Sequence, residues 1–118
     1  MPRQNGREAG GAVNVLFVCS RNQWRSPTAE AIYANDSRVT ARSGGTASSA
    51  RRKLGRSDIE WAEVVVVMET KHKRVIHERF RDSLDELPRI VVLDIPDDYR
   101  AMDSELVELL RESESLWM

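Results

Sequence analysis

The stretch VNVLFVCSRNQWRSPTAE, Val13 to Glu30, joins an apolar run, the chain's single cysteine, a polar turn and a helix start. Val13 to Val18 is continuously apolar apart from Asn14, as expected of a strand covered on both faces. Ser26 and Pro27 read as the cap and first residue of a helix. Within that helix Ala29, Ile32 and Tyr33 share one face. Cys19 therefore sits where a buried strand ends, with Arg25 six residues on, at the mouth of the next helix.

The pattern continues outward from this unit. Val39 to Thr46 reads as a second strand, broken by Gly44 and Gly45. A short helix is expected near Arg51 to Leu54 and a turn near Asp58 to Trp61. Val64 to Met68 is a third, uniformly apolar strand. Thr70 is placed to cap a helix with Val75, Ile76 and Phe80 inward. Arg89 to Ile95 is a fourth strand, Pro96 to Asp103 a loop. A last helix opens at Asp103 or Ser104 with Met102, Leu106, Leu109 and Leu110 on one stripe. Strand and helix alternate four times. That order predicts an α/β fold: one three-layer domain, a four-stranded parallel sheet with helices on both faces. Ligands of such sheets bind beyond the carboxyl ends of the strands. Cys19 to Ser26, Gly44 to Thr46 and Pro96 to Asp103 should meet there.

The length of 118 residues suits one domain with one core. The expected divisions are a flexible N-terminal tail over 1–12, the α/β domain over 13–111 and a C-terminal tail over 112–118. No apolar run approaches the roughly 18 residues of a membrane span, and the first residues lack an apolar signal core. One cysteine forms no internal disulfide, which suits a reducing compartment, so the expected location is cytoplasmic. The net charge of −1 hides an asymmetry: ten Arg/Lys stand against three Asp/Glu up to Arg56, and eight against sixteen beyond it. A cationic half suits an anionic ligand without choosing among phosphate, nucleic acid and acidic protein.

Backbone N–H groups of a tight turn after a strand form a concave anion site, and the following helix adds its positive end. A thiol held there is favoured as thiolate, the nucleophilic form. Arg25 adds a planar fork that matches two phosphate oxygens. The combination binds a phosphate and aims sulfur at its phosphorus, giving a phosphocysteine intermediate. An acid must then protonate the leaving oxygen and later activate water. Asp97 and Asp98 lie in a loop at the same end of the sheet.

Cys19-Ser-Arg-Asn-Gln-Trp-Arg25-Ser26 is C-x5-R-S after a first strand, and it resembles the signature of the low-molecular-weight protein tyrosine phosphatases. RSGGT, VVVVME and DIPDDY resemble further segments of that family, and residues from Val13 to about Arg111 resemble a small bacterial group of predicted phosphatases of this type. The resemblance implies Cys19 as nucleophile, Arg25 as phosphate clamp and Asp97 as general acid. It implies a phosphate-binding loop of Ser20, Arg21, Asn22, Gln23, Trp24 and Ser26, with Asn22 shaping the loop and Ser26 hydrogen-bonding the thiolate. Asp98 and Tyr99 would help wall the site. It implies a metal-independent hydrolase with no cofactor, acting on a phosphorylated protein or small aryl phosphate. Four departures stand out: Arg21 replaces a glycine, Trp24 replaces a second cysteine, only 21 residues separate Thr46 from Met68, and the acid loop reads Asp97-Asp98-Tyr99 instead of Asp-Pro-Tyr, so that Asp98 could substitute for Asp97 as the acid or repel the phosphate.

Other readings compete. A non-hydrolytic phosphate-, phosphoprotein- or RNA-binding module would use the same anion pocket. Arsenate reduction on this fold normally recruits further cysteines, which are absent here. A phosphocysteine carrier of sugar transport does not need Arg25. His72 and His77 lie five apart, where metal pairs on a helix prefer four, so no metal site is expected. The basic runs Arg51 to Lys53 and Lys71 to Arg74 suit solvated faces better than nucleic acid. The physiological substrate, oligomeric state and pathway are not written in the sequence.

Overall fold

A computed structural model describes residues 11–118. The expected tail over 1–12 lies, up to residue 10, outside the described residues. Four strands, β1 Val13–Cys19, β2 Val39–Gly45, β3 Val64–Val67 and β4 Arg89–Val92, form one sheet in the order β2-β1-β3-β4. Every pairing is parallel: Cys19 lies opposite Gly45, Val18 opposite Val67, and Val67 opposite Val92. The helices are α1 Arg25–Tyr33, α2 Arg56–Trp61, α3 Thr70–Phe80, α4 Ser104–Glu112 and α5 Glu114–Trp117. The expected α/β sheet with helices on both faces is what the chain adopts.

Alternate residues of β1 explain why its sequence is apolar throughout. Val15, Phe17 and Cys19 join Ala29, Tyr33, Val66, Met68, Leu106, Leu110 and Trp117 on one face. Leu16 and Val18 join Ile59, Val65, Val67, Ile76 and Phe80 on the other. With a side-chain period of two, a strand buried on both faces has no room for polar alternation.

Several local expectations are corrected. Helix α1 begins at Arg25 with Trp24 at the cap position, so Ser26 and Pro27 lie inside its first turn. The freed Ser26 side chain is buried and turned to the cysteine instead. Arg51 to Leu54 is not helical, because Gly45 N–H donates to Arg52 O at 2.9 Å and Leu54 N–H donates to Gly45 O at 2.9 Å. These bonds lay the segment along the end of β2. Strand β4 stops at Val92, and Asp94 takes a φ of 58° beyond it. Val75 is half-buried, whereas His72 is fully buried on the inner side of α3. Met102 has a φ of 60° and is 56% exposed, so it lies outside the α4 stripe.

Residues 112–118 are not a loose tail among the described residues. Trp117 is 2% exposed and meets Phe17 and Tyr33 edge-on at 5.5 and 5.0 Å between ring centroids. Tyr33 Oη donates to Glu114 at 2.9 Å, which pins α5 to the end of α1. The isolated tryptophan near the end of the sequence carries no periodicity that would signal this packing.

Candidate active site

The loop from Cys19 to Trp24 leaves β1 and curls back into α1. Three of its carbonyls are bound from outside. Thr46 N–H donates to Cys19 O at 3.0 Å, Ala47 N–H to Ser20 O at 2.8 Å and Arg51 N–H to Arg21 O at 2.9 Å. In a trans peptide the next N–H points opposite to the carbonyl. The N–H groups of Ser20, Arg21 and Asn22 are thereby directed away from this segment.

Asn22 supplies the left-handed turn, with a φ of 53°, a conformation that asparagine tolerates. Arg21 is not among the positive-φ residues, so the loop takes this curvature one residue later than the position of the missing glycine. The close backbone approach falls instead on Gly45. A Cβ there would lie 2.6 Å from Ser20 O and 2.9 Å from Asn22 N, which only glycine avoids.

Asn22, 5% exposed, donates through Nδ2 to Ser26 Oγ and to Ser43 Oγ, each at 2.9 Å. Ser43 Oγ donates in turn to Glu30 Oε1 at 2.5 Å. Ser26 Oγ lies 3.0 Å from Cys19 Sγ. Because the Ser26 oxygen already accepts from Asn22, its own proton is free to point at the sulfur. Both Cys19 and Ser26 are buried, at 3% and 0% exposure.

Arg25 is 2% exposed. Its Nη1 donates to Glu69 Oε2 at 2.5 Å and to Ile95 O at 2.8 Å, while its Nε lies 3.7 Å from Asp97 Oδ1. Burial opposes the charge on Glu69, but the hydrogen bond and charge of Arg25 outweigh it and hold the carboxyl below its usual range. His72 Nδ1 accepts from Glu69 N–H at 3.0 Å, and its Nε2 lies 2.9 Å from Ser20 Oγ. Burial, assisted by the charge of Arg25, pushes His72 down to about 4. It is therefore neutral near pH 7, with the proton on Nε2 donated to Ser20, since Nδ1 is an acceptor.

A cavity of about 150 Å³ opens over this loop, lined by Cys19, Arg21, Gln23, Trp24, Arg25 and Asp97. Ser20, Asn22 and Ser26 build its support. Asp98 and Tyr99 are not in the lining; Asp98 is exposed and Tyr99 packs against the core. The acid loop is tied to the start of α1: Met102 N–H donates to Thr28 Oγ1 at 2.9 Å, and the Arg100 guanidinium lies 5.9 Å from the Trp24 ring centroid. Glu69, His72, Ser43 and the Ile95 carbonyl are site groups that the sequence reading misses. Glu69 follows the third strand at its ligand end, the signal that could have found it. Among the described residues, no group of three or more His, Cys, Asp or Glu is disposed to hold a metal, and no helix is long and apolar enough to cross a membrane.

The sequence matches no protein-family model and no curated protein. Solved structures do match. YwlE arginine phosphatase from Geobacillus stearothermophilus is 26% identical, with a TM-score of 0.65 over 88% of this chain and 87% of that one. The tyrosine phosphatase Wzb from Escherichia coli K30, in complex with phosphate, is 18% identical, with a TM-score of 0.68 over 89% and 95%. SP-PTP, a low molecular weight protein tyrosine phosphatase from Streptococcus pyogenes, is 16% identical, with a TM-score of 0.69 over 90% and 93%. Over about nine-tenths of its length the chain has the fold of the low-molecular-weight protein tyrosine phosphatases, in keeping with its C-x5-R-S turn.

Proposed function

We propose that this protein is a phosphohydrolase of the low-molecular-weight protein tyrosine phosphatase type, working through a phosphocysteine on Cys19. The observation that carries the proposal is the grouping of Cys19, Arg25 and Asp97 around one small cavity at the end of the sheet. The loop N–H groups and the Arg25 fork would hold the phosphate oxygens. The Cys19 sulfur would attack phosphorus as the bond to the leaving oxygen breaks, and Asp97 would give that oxygen its proton. Water, deprotonated by Asp97, would then release phosphate and restore the thiolate. Loop and guanidinium act on the charge of the transferring group, where preorganised donors contribute most.

The substrate is a phosphorylated protein or a small phosphate compound, with aryl phosphates first. The half-buried Trp24 at the mouth offers a face for an aromatic ring. The single cysteine supports a reducing, cytoplasmic setting. Hydrolysis of p-nitrophenyl phosphate and of phosphoarginine without added metal, by wild type and Cys19→Ser, tests the reading. Turnover that vanadate stops and Cys19→Ser lacks is expected; equal turnover by both proteins would overturn it.

A further inference from the structure

We infer that Glu69, braced by His72, is the positioning residue that sets the working edge of Arg25. The inference rests on the phosphohydrolase reading for its substrate, but its geometry is independent of that reading. A guanidinium is planar and rigid, so fixing one nitrogen by two acceptors fixes the whole fork. Nη1 carries both acceptors, Glu69 Oε2 and Ile95 O, and Arg25 is almost wholly buried. The opposite edge carries Nε, which lies 3.7 Å from Asp97 Oδ1, and Arg25 is among the residues that line the cavity. That edge is the one free to take two phosphate oxygens.

Glu69 is itself held. It stands at the cap position of α3, where its N–H donates to His72 Nδ1 and its carbonyl accepts from His72 N–H at 3.0 Å. The other His72 nitrogen reaches Ser20 Oγ in the loop. One turn at the start of α3 thus grips both halves of the site, the clamp through the Glu69 carboxylate and the loop through the imidazole. A Glu69 that served only to neutralise Arg25 would need the charge but not this reach or brace.

Two substitutions separate reach from charge. Glu69→Gln keeps an oxygen acceptor at the same reach and removes the charge. Glu69→Asp keeps the charge and shortens the arm. Positioning predicts that Glu69→Gln, which keeps the reach, loses clearly less kcat than Glu69→Asp, which shortens the arm and loses about tenfold or more, the loss expected of a hydrogen bond to a charged group. KM should change less than kcat in the Asp variant, and His72→Phe should reproduce its pattern in weaker form. Orthophosphate affinity, measured by titration calorimetry, should be weakened less for Gln than for Asp. The reverse order, equal losses in both variants, or no loss in either would overturn the inference. Wild type that binds phosphate without turning over p-nitrophenyl phosphate or phosphoarginine would remove the phosphohydrolase reading, and the affinity order alone would then decide for or against positioning. Wild type that neither binds nor turns over would overturn both.

Discussion

Ser26 Oγ sits 3.0 Å from Cys19 Sγ, with both side chains closed off from solvent and the serine oxygen already accepting from Asn22. The serine is thereby left to donate toward sulfur, a hydrogen bond that would stabilise the charge sulfur carries as the leaving group from phosphorus. Removing a hydrogen bond to a charged group costs about 1.5–3 kcal/mol. Ser26→Ala should therefore lower kcat by roughly 10- to 100-fold, with KM much less affected. Steady-state kinetics on p-nitrophenyl phosphate checks this, and unchanged kcat would remove Ser26 from the mechanism.

The two neighbouring aspartates should separate cleanly. Asp97 lines the cavity and faces Arg25, whereas Asp98 does not. Asp97→Asn should reduce kcat by about a hundredfold, within the range for a general acid. The loss should shrink for aryl phosphates with more acidic leaving groups, which need less protonation. Asp98→Asn should stay within about threefold of wild type, because no site contact is lost. A series of substituted phenyl phosphates distinguishes the two.

His72 gives the fold a pH signature. Its folded value of about 4 lies below the ordinary 6.5, so the unfolded chain binds the proton more tightly. Stability from neutral His72 is complete above pH 6.5 and is lost as pH falls through about 4. The contribution is on the order of a few kcal/mol, since each tenfold difference in proton affinity between the two states corresponds to roughly 1.4 kcal/mol. Denaturant melts of wild type and His72→Gln from pH 4 to 7 should show a steeper acid loss in wild type. Parallel curves would contradict the assignment of a buried neutral imidazole.

The end of the sequence is part of the core. Trp117 closes over Phe17 and Tyr33 on the face of the sheet that also buries Cys19. Trp117→Ala should cost about 3–5 kcal/mol, as for large-to-small core substitutions. A urea midpoint unchanged by the substitution would show that α5 contributes nothing to stability.

The sheet is legible because β1 and β3 are written in two-sided apolar runs, and Cys19 with Arg25 because their spacing spans one turn into a helix. What escapes has a physical reason in each case. Ser26 reads as a helix cap by propensity, but the helix begins two residues earlier than that reading and the buried sulfur takes its hydroxyl. The segment after β2 reads as helix, yet the edge of Gly45 offers it backbone partners. Glu69 and His72 belong to an amphipathic helix start whose role depends on contacts with residues 44 and 52 positions away, which local periodicity does not carry. Met102 fits the α4 stripe by spacing, but a positive φ turns it out before the helix begins.

The central claim is that Cys19 carries the phosphoryl group during turnover. The most direct measurement is rapid acid quenching of wild type mixed with p-nitrophenyl phosphate, followed by mass spectrometry of the peptide containing Cys19. One added phosphoryl group on Cys19 is expected during turnover, with no turnover by Cys19→Ser. Steady turnover with Cys19 unmodified at every quench time, and sustained by Cys19→Ser, would contradict it.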